Sequence, residues 1–408
     1  MRSKISEVRE IQIFTPNPTA ALSTAVEDMS PAERMYAAAE RESGITFHFN
    51  TYQAETYLDK TYDDVCLERV RSHMGDDLIL MNADVISTLG KEGLLSDLSS
   101  LEFVPKLQDC ILAANTIDGK LVAVPFEIVA YGLFCNVELF ERYGLELPNT
   151  PEDLLHCCKV FKENGFEYPI GANRWWLEIF VLSQGFAEMY INGNPEEEIA
   201  ALNRGETKLS DYMRPGLEYL QTLFEEGYID YQTAYTYEAL DEGPAFRNQE
   251  TPIVMSYQGA AAPERGYGEL NFRMEVIGLP THLGQVPVLS MTGSGIPESA
   301  AHKEDTIKVF NILMQEDNLV AFNNASGSIS PFKGEIKGLE TLKPIAKLTE
   351  SVNNGHYVLA TNGNYGVELW GNTCNIVQHL MSGSTVEECL AEFDALQQEA
   401  LNADGKSN

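Results

Sequence analysis

Seven histidines, at 48, 73, 156, 282, 302, 356 and 379, would serve as acid–base groups or metal ligands if their spacing put two on one helix face or one turn. They are scattered singly. Seven cysteines, at 66, 110, 135, 157, 158, 374 and 389, form no Cys-x-x-Cys pair, and a disulfide framework or zinc site needs better organisation. Cys157 and Cys158 are neighbours on a predicted helix and diverge, which reads as small core hydrophobes. The chain has no Gly-x-Ser-x-Gly elbow, no Gly-x-x-x-x-Gly-Lys loop, no Gly-x-Gly-x-x-Gly after a strand and no His-Glu-x-x-His helix. Some of its 61 acids must lie close together, but no spacing nominates an acid–base couple. No catalytic residue, metal or cofactor is therefore expected.

With 28 Lys plus Arg against those 61 acids, the net charge is −33, which repels phosphate backbones and anionic lipid surfaces. Nucleic acid is excluded as a partner on that ground, and a neutral or cationic solute suits the chain better than an anionic one. At 408 residues and 44% hydrophobic content, two core-bearing units are expected. No run approaches the roughly 18 to 20 apolar residues that span a bilayer. Met1-Arg2-Ser3-Lys4 lacks the apolar core of a secretory signal, so the reading is a cytosolic protein or one whose signal has been removed.

The elements that must position any site alternate. Short apolar runs at Ile11–Phe14, Ile45–Phe49, Leu78–Met81, Leu121–Pro125, Tyr131–Cys135, Pro252–Tyr257 and Arg273–Leu279 read as strands. Tyr62, Cys66, Val70 and Met74, then Ile307, Phe310 and Met314, fall at helical spacing. Thr150-Pro151-Glu152-Asp153 marks one helix start, and Ser384-Thr385-Val386-Glu387 has capping-box spacing at another. This is an α/β pattern with mainly parallel sheets. No linker separates two halves, which suggests a chain that crosses between lobes more than once.

An ordered series of segments resembles the family 1 extracellular solute-binding proteins of bacterial ABC importers, the class of maltose-binding protein. It runs from Gly75-Asp76-Asp77-Leu78-Ile79-Leu80 to Gly90-Lys91-Glu92-Gly93-Leu94-Leu95-Ser96-Asp97-Leu98. More specific is Asp118-Gly119-Lys120-Leu121-Val122-Ala123-Val124-Pro125, followed by Cys135-Asn136-Val137-Glu138-Leu139-Phe140 and by Tyr143-Gly144-Leu145 through Thr150-Pro151-Glu152-Asp153-Leu154. Ala245-Phe246-Arg247-Asn248 before Pro252, and Gly278-Leu279-Pro280 before Gly293-Ser294-Gly295-Ile296, keep the same order, so the resemblance covers roughly residues 45 to 400. Thr15-Pro16-Asn17-Pro18 departs from the family's aromatic opening turn.

The resemblance implies a two-lobed periplasmic-binding-protein-like fold with hinge crossovers, residues 1–128 plus 281–330 forming the first lobe and 129–280 plus 331–408 the second. It implies a solute, with a carbohydrate, and an oligosaccharide in particular, expected; a membrane permease as partner; an extracellular, surface-anchored or periplasmic place; and a monomer. Ligand contacts then fall just past the strand ends. On the first lobe these are Asn17, Tyr52, Gln53, Asn82 and Asp84, with Glu127 at the crossover; on the second, Arg174, Trp175, Trp176, Tyr257, Gln258 and Trp370. Adjacent residues diverge, so Trp175 and Trp176 should not share the cleft. Trp370 reads as a loop residue before a helix around Ile376–Leu380, and Asp84 alternatively as a helix N-cap. A polyamine or peptide in the same fold, or a carbohydrate-acting enzyme, stays open.

Overall fold

The computed structural model describes residues 9–16, 30–52, 56–57, 60–263 and 265–404. Its first sheet is built on Glu10–Thr15, where Ile11, Ile13 and Phe14 are buried because helices cover both faces. Thr46–Thr51 and Leu78–Met81 flank this strand in parallel, and Gly293–Gly295 joins the edge antiparallel to Leu78–Met81. The helices between begin at satisfied caps: Ser30 and Glu33 close a capping box on Pro31–Ser43, Thr61 and Asp64 another on Tyr62–Arg71.

The second sheet is mixed, and here the expected parallel character gives way. Val129–Asn136 runs antiparallel to Ile253–Tyr257, Met274–Ile277 and Val288–Ser290, while the outer pairs, Ile170–Gly171 with Ile253–Tyr257 and Val358–Leu359 with Val288–Ser290, are parallel. The geometry follows from the crossings. Val129–Asn136 carries the chain out of the first lobe and Val288–Ser290 carries it back, so side by side they point in opposite senses. Helices Glu178–Ile191 and Leu209–Glu225 cover this sheet, crossing so closely that a Cβ on Gly216 would stand 2.4 Å from Val181 Cα.

Among the described residues the chain passes between the sheets three times. Val124 bridges Ser294 and Ile128 bridges Ile329, which brings the crossing segments together. The run read as a strand over Leu121–Pro125 is paired as one only at Lys120–Leu121, beyond a tight Asp118-Gly119 turn with both φ positive; the rest is the first crossing. The second crossing is at Met291–Thr292 and not before residue 281: Gly278–Pro280 opens a hairpin, Leu279–Thr281 with Gly284–Val286, and Val288–Ser290 then pairs in the second sheet. At the last helix, Val386–Asp404, the box forms one residue later than its spacing suggests, between Thr385 and Glu388, which leaves Glu387 to pair with Arg214. All seven cysteines are buried and free.

Candidate functional site

The second lobe supplies an aromatic wall. After Ile170–Gly171, the Asn173 carboxamide accepts the Trp175 N–H at 3.0 Å and donates to Glu242 at 3.1 Å, and Glu242 also accepts the Tyr267 hydroxyl at 2.8 Å. This turn sends the two tryptophans apart. Trp176 is 8% exposed and packs on Tyr131 and Tyr257, with ring centroids at 6.1 and 5.9 Å. Trp175 is 39% exposed; its Nε1 donates to Glu238 at 2.7 Å, the Arg174 guanidinium lies 4.6 Å from its ring, and Arg174 pairs with Glu238.

Trp370 continues the wall, its ring 4.8 Å from that of Tyr131. It is half-buried and does not sit in a loop: it is the first residue of helix Trp370–Met381. The helix starts early because the Glu368 carboxylate accepts the N–H groups of Gly371 and Asn372 at 2.7 and 2.9 Å, serving donors that a helix N-terminus leaves free. Burial nonetheless raises the Glu368 carboxyl above its ordinary range.

The first lobe supplies carboxylates. Asn82 makes no cap bond and donates instead to Asp63 at 2.8 Å. Asp84 is in the first turn of helix Ala83–Lys91, where it faces a cavity of about 260 Å³ that Glu368 lines from the other lobe. Crowding by the protein, then the charges of Glu368 and Asp63, push the Asp84 carboxyl up to about 7. Its side chain still meets solvent, so water in the cleft screens part of that repulsion.

The remaining expected contacts divide. Glu127 is half-buried at the first crossing, raised by burial and lowered by Arg265 and Ser328. Tyr257 turns its hydroxyl to the Arg265 carbonyl at 3.2 Å. Tyr52 stacks on Tyr57 at 5.6 Å and donates to the Lys60 carbonyl at 2.7 Å. Gln258 is 1% exposed, accepts the Ala130 N–H at 2.7 Å and donates to the Ile128 carbonyl at 3.3 Å, so its amide pins the first crossing. Asn17 and Gln53 lie outside the described residues.

Sequence reasoning passed over Tyr131, Glu368, Asp63 and Glu178. Glu178 is fully buried behind the aromatic wall, both carboxyl oxygens unpartnered, and burial raises its carboxyl well above the ordinary range, with Glu368 adding to the rise. The available signal was an acid inside an apolar run, Leu177-Glu178-Ile179-Phe180-Val181. Among the described residues, no group of three or more His, Cys, Asp or Glu could hold a metal, and no helix is long and apolar enough to cross a membrane. Aromatic planes beside carboxylates from both lobes can seat a ring that carries an apolar face and hydroxyl donors.

Residues 34–344 match the family described as bacterial extracellular solute-binding protein. No curated protein matches the sequence. Among solved structures, the solute-binding protein RafE in complex with raffinose is similar at a TM-score of 0.72 and 16% identity, covering 96% of this chain and 99% of its own. A chitin oligosaccharide binding protein gives 0.74 and 17%, with 96% and 99% covered. The sugar-binding protein MalE of Xanthomonas citri gives 0.71 and 13%, with 97% and 98% covered.

Proposed function

The chain belongs to the bacterial extracellular solute-binding proteins, and on that premise we propose that it captures a carbohydrate, most simply an oligosaccharide, between its lobes and presents it to the permease of an ABC importer. The observation that carries the reading is the pairing of Asp84 on one lobe with Glu368 on the other across a single cavity, next to the run Tyr257, Trp176, Tyr131 and Trp370. A sugar closed in that space stacks on the aromatic rings and donates hydroxyls to the carboxylates, and contacts to both lobes favour the closed form over the open one. The names of the three similar structures, which concern raffinose, chitin oligosaccharides and sugar, support the same class.

In this reading the moving bodies are the described residues of 9–126 with 293–340 and of 129–290 with 346–404, and the chain acts as a surface-held or periplasmic monomer that binds its solute without transforming it. A thermal-shift panel of glycans tests it. A ligand at 100 times its dissociation constant adds about 2.7 kcal/mol of stability, and a panel in which no glycan shifts melting overturns the carbohydrate reading. The acids Asp63, Asp84, Glu178 and Glu368 beside aromatic rings favour a polyamine as second reading, because an ammonium would relieve their repulsion. Spermidine and putrescine in the same panel separate the two. Recovery of an unchanged glycan after long incubation separates binding from hydrolysis.

A further inference from the structure

Asn362–Gly366 is a strap bonded to both lobes. Toward the first lobe, the Gly363 N–H donates to the Ala114 carbonyl at 3.0 Å and the Ser87 hydroxyl to the Gly363 carbonyl at 2.6 Å. The Asn364 carboxamide donates to the carbonyls of Ala113 and Thr116 at 3.1 and 3.3 Å. Toward the second, Asn203 donates to the Asn364 carbonyl at 2.8 Å and accepts the Gly366 N–H at 2.7 Å. The approach is close, since a Cβ on Gly363 would stand 2.8 Å from Ile117 Cδ1 and 3.0 Å from the Ala114 carbonyl oxygen. The strap lies between a cavity of about 850 Å³ that Asn364 lines and the one that Asp84 and Glu368 line, and Asn362 and Gly366 border both. Two residues past the strap comes Glu368, whose carboxylate starts the helix that carries Trp370.

We propose that Asn364 is a positioning residue for solute capture: by tying the strap to Ala113 and Thr116 it sets the angle between the lobes together with the placement of Glu368 and Trp370. The inference rests on the hinge-closing reading above. Both lobes hold the same few residues, so a change in lobe angle must break one set of bonds or drag the strap, and with it Glu368 and Trp370.

The test is Asn364→Ala in the full chain, read by ligand-free small-angle scattering, by hydrogen exchange at the Gly363 amide and by the dissociation constant of the glycan that gives the largest thermal shift. Expected are a larger ligand-free radius of gyration, faster Gly363 exchange and a dissociation constant changed roughly threefold or more. A lower melting temperature with scattering and affinity both unchanged would make Asn364 a structural bond only and overturn the proposal. Ser87→Ala, which removes one bond on the same side, gives a smaller change in the same direction and serves if Asn364→Ala does not fold. The ligand-free arms need no glycan, so a strap that fails and a carbohydrate reading that fails give different results.

Discussion

Tyr131 and Trp370 lie ring against ring, centroids 4.8 Å apart and planes inclined by 46°, although 239 positions separate them in the chain. One comes from the strand that leaves the first crossing, the other from the head of a helix capped by Glu368. The contact makes Trp370 part of the packing, and the proposed reading also gives its ring to the solute. Trp370→Ala is expected to lower ligand-free stability by about 1 kcal/mol, the scale of one aromatic pair, and to weaken solute binding by about 1 to 3 kcal/mol. Calorimetric melting and titration with the glycan check it; a stability loss of about 3 to 5 kcal/mol with affinity retained would place the ring in the core alone.

Trp175 and Trp176 should respond unequally to the same change. Trp176, packed between Tyr131 and Tyr257, is expected to cost about 3 to 5 kcal/mol of stability on replacement by alanine. Trp175→Ala, at an exposed ring, should leave ligand-free melting within about 0.5 kcal/mol of the parent. Equal losses by chemical denaturation would contradict the divergence described.

Gln258→Leu removes the amide that partners the Ala130 N–H and the Ile128 carbonyl at the first crossing. The expectation is a stability loss of about 1 to 3 kcal/mol, the cost of stranding buried polar groups. Native-state hydrogen exchange at the Ala130 amide should accelerate. An unaltered Ala130 exchange rate would show that the amide does not hold the crossing.

For Asp84 the ordinary carboxyl value of 3.8 rises to about 7 in the folded chain. The folded state therefore holds the proton more tightly than the unfolded one, and stability falls as pH rises from about 4 to about 7. Asp84→Asn lacks that slope, so its melting temperature should match the parent near pH 4 and exceed it above pH 7. Parallel melting curves from pH 4 to 8 would contradict the raised Asp84 carboxyl.

Much of this fold is legible locally. Leu78–Met81 and the Thr150 capping box need only neighbouring residues, and their observed limits follow the pattern. The second crossing was not legible, because Gly278 and Pro280 punctuate a hairpin as readily as a domain boundary. Gln258 follows a strand end, and its bonds to the distant Ile128–Ala130 backbone are written in no neighbouring residue. Trp370 looked like a loop residue because its helix is capped by a glutamate behind it and not by a Ser, Thr, Asp or Asn at the usual position. Each miss is a tertiary partner that no short window contains.

Closure around a solute is tested most directly by small-angle scattering with and without the best-stabilising glycan. Saturation should lower the radius of gyration as the lobes close on Asp84, Glu368 and the aromatic wall, and Asp84→Asn should require more glycan to reach the same compaction. A profile that does not change at saturating ligand would contradict the account.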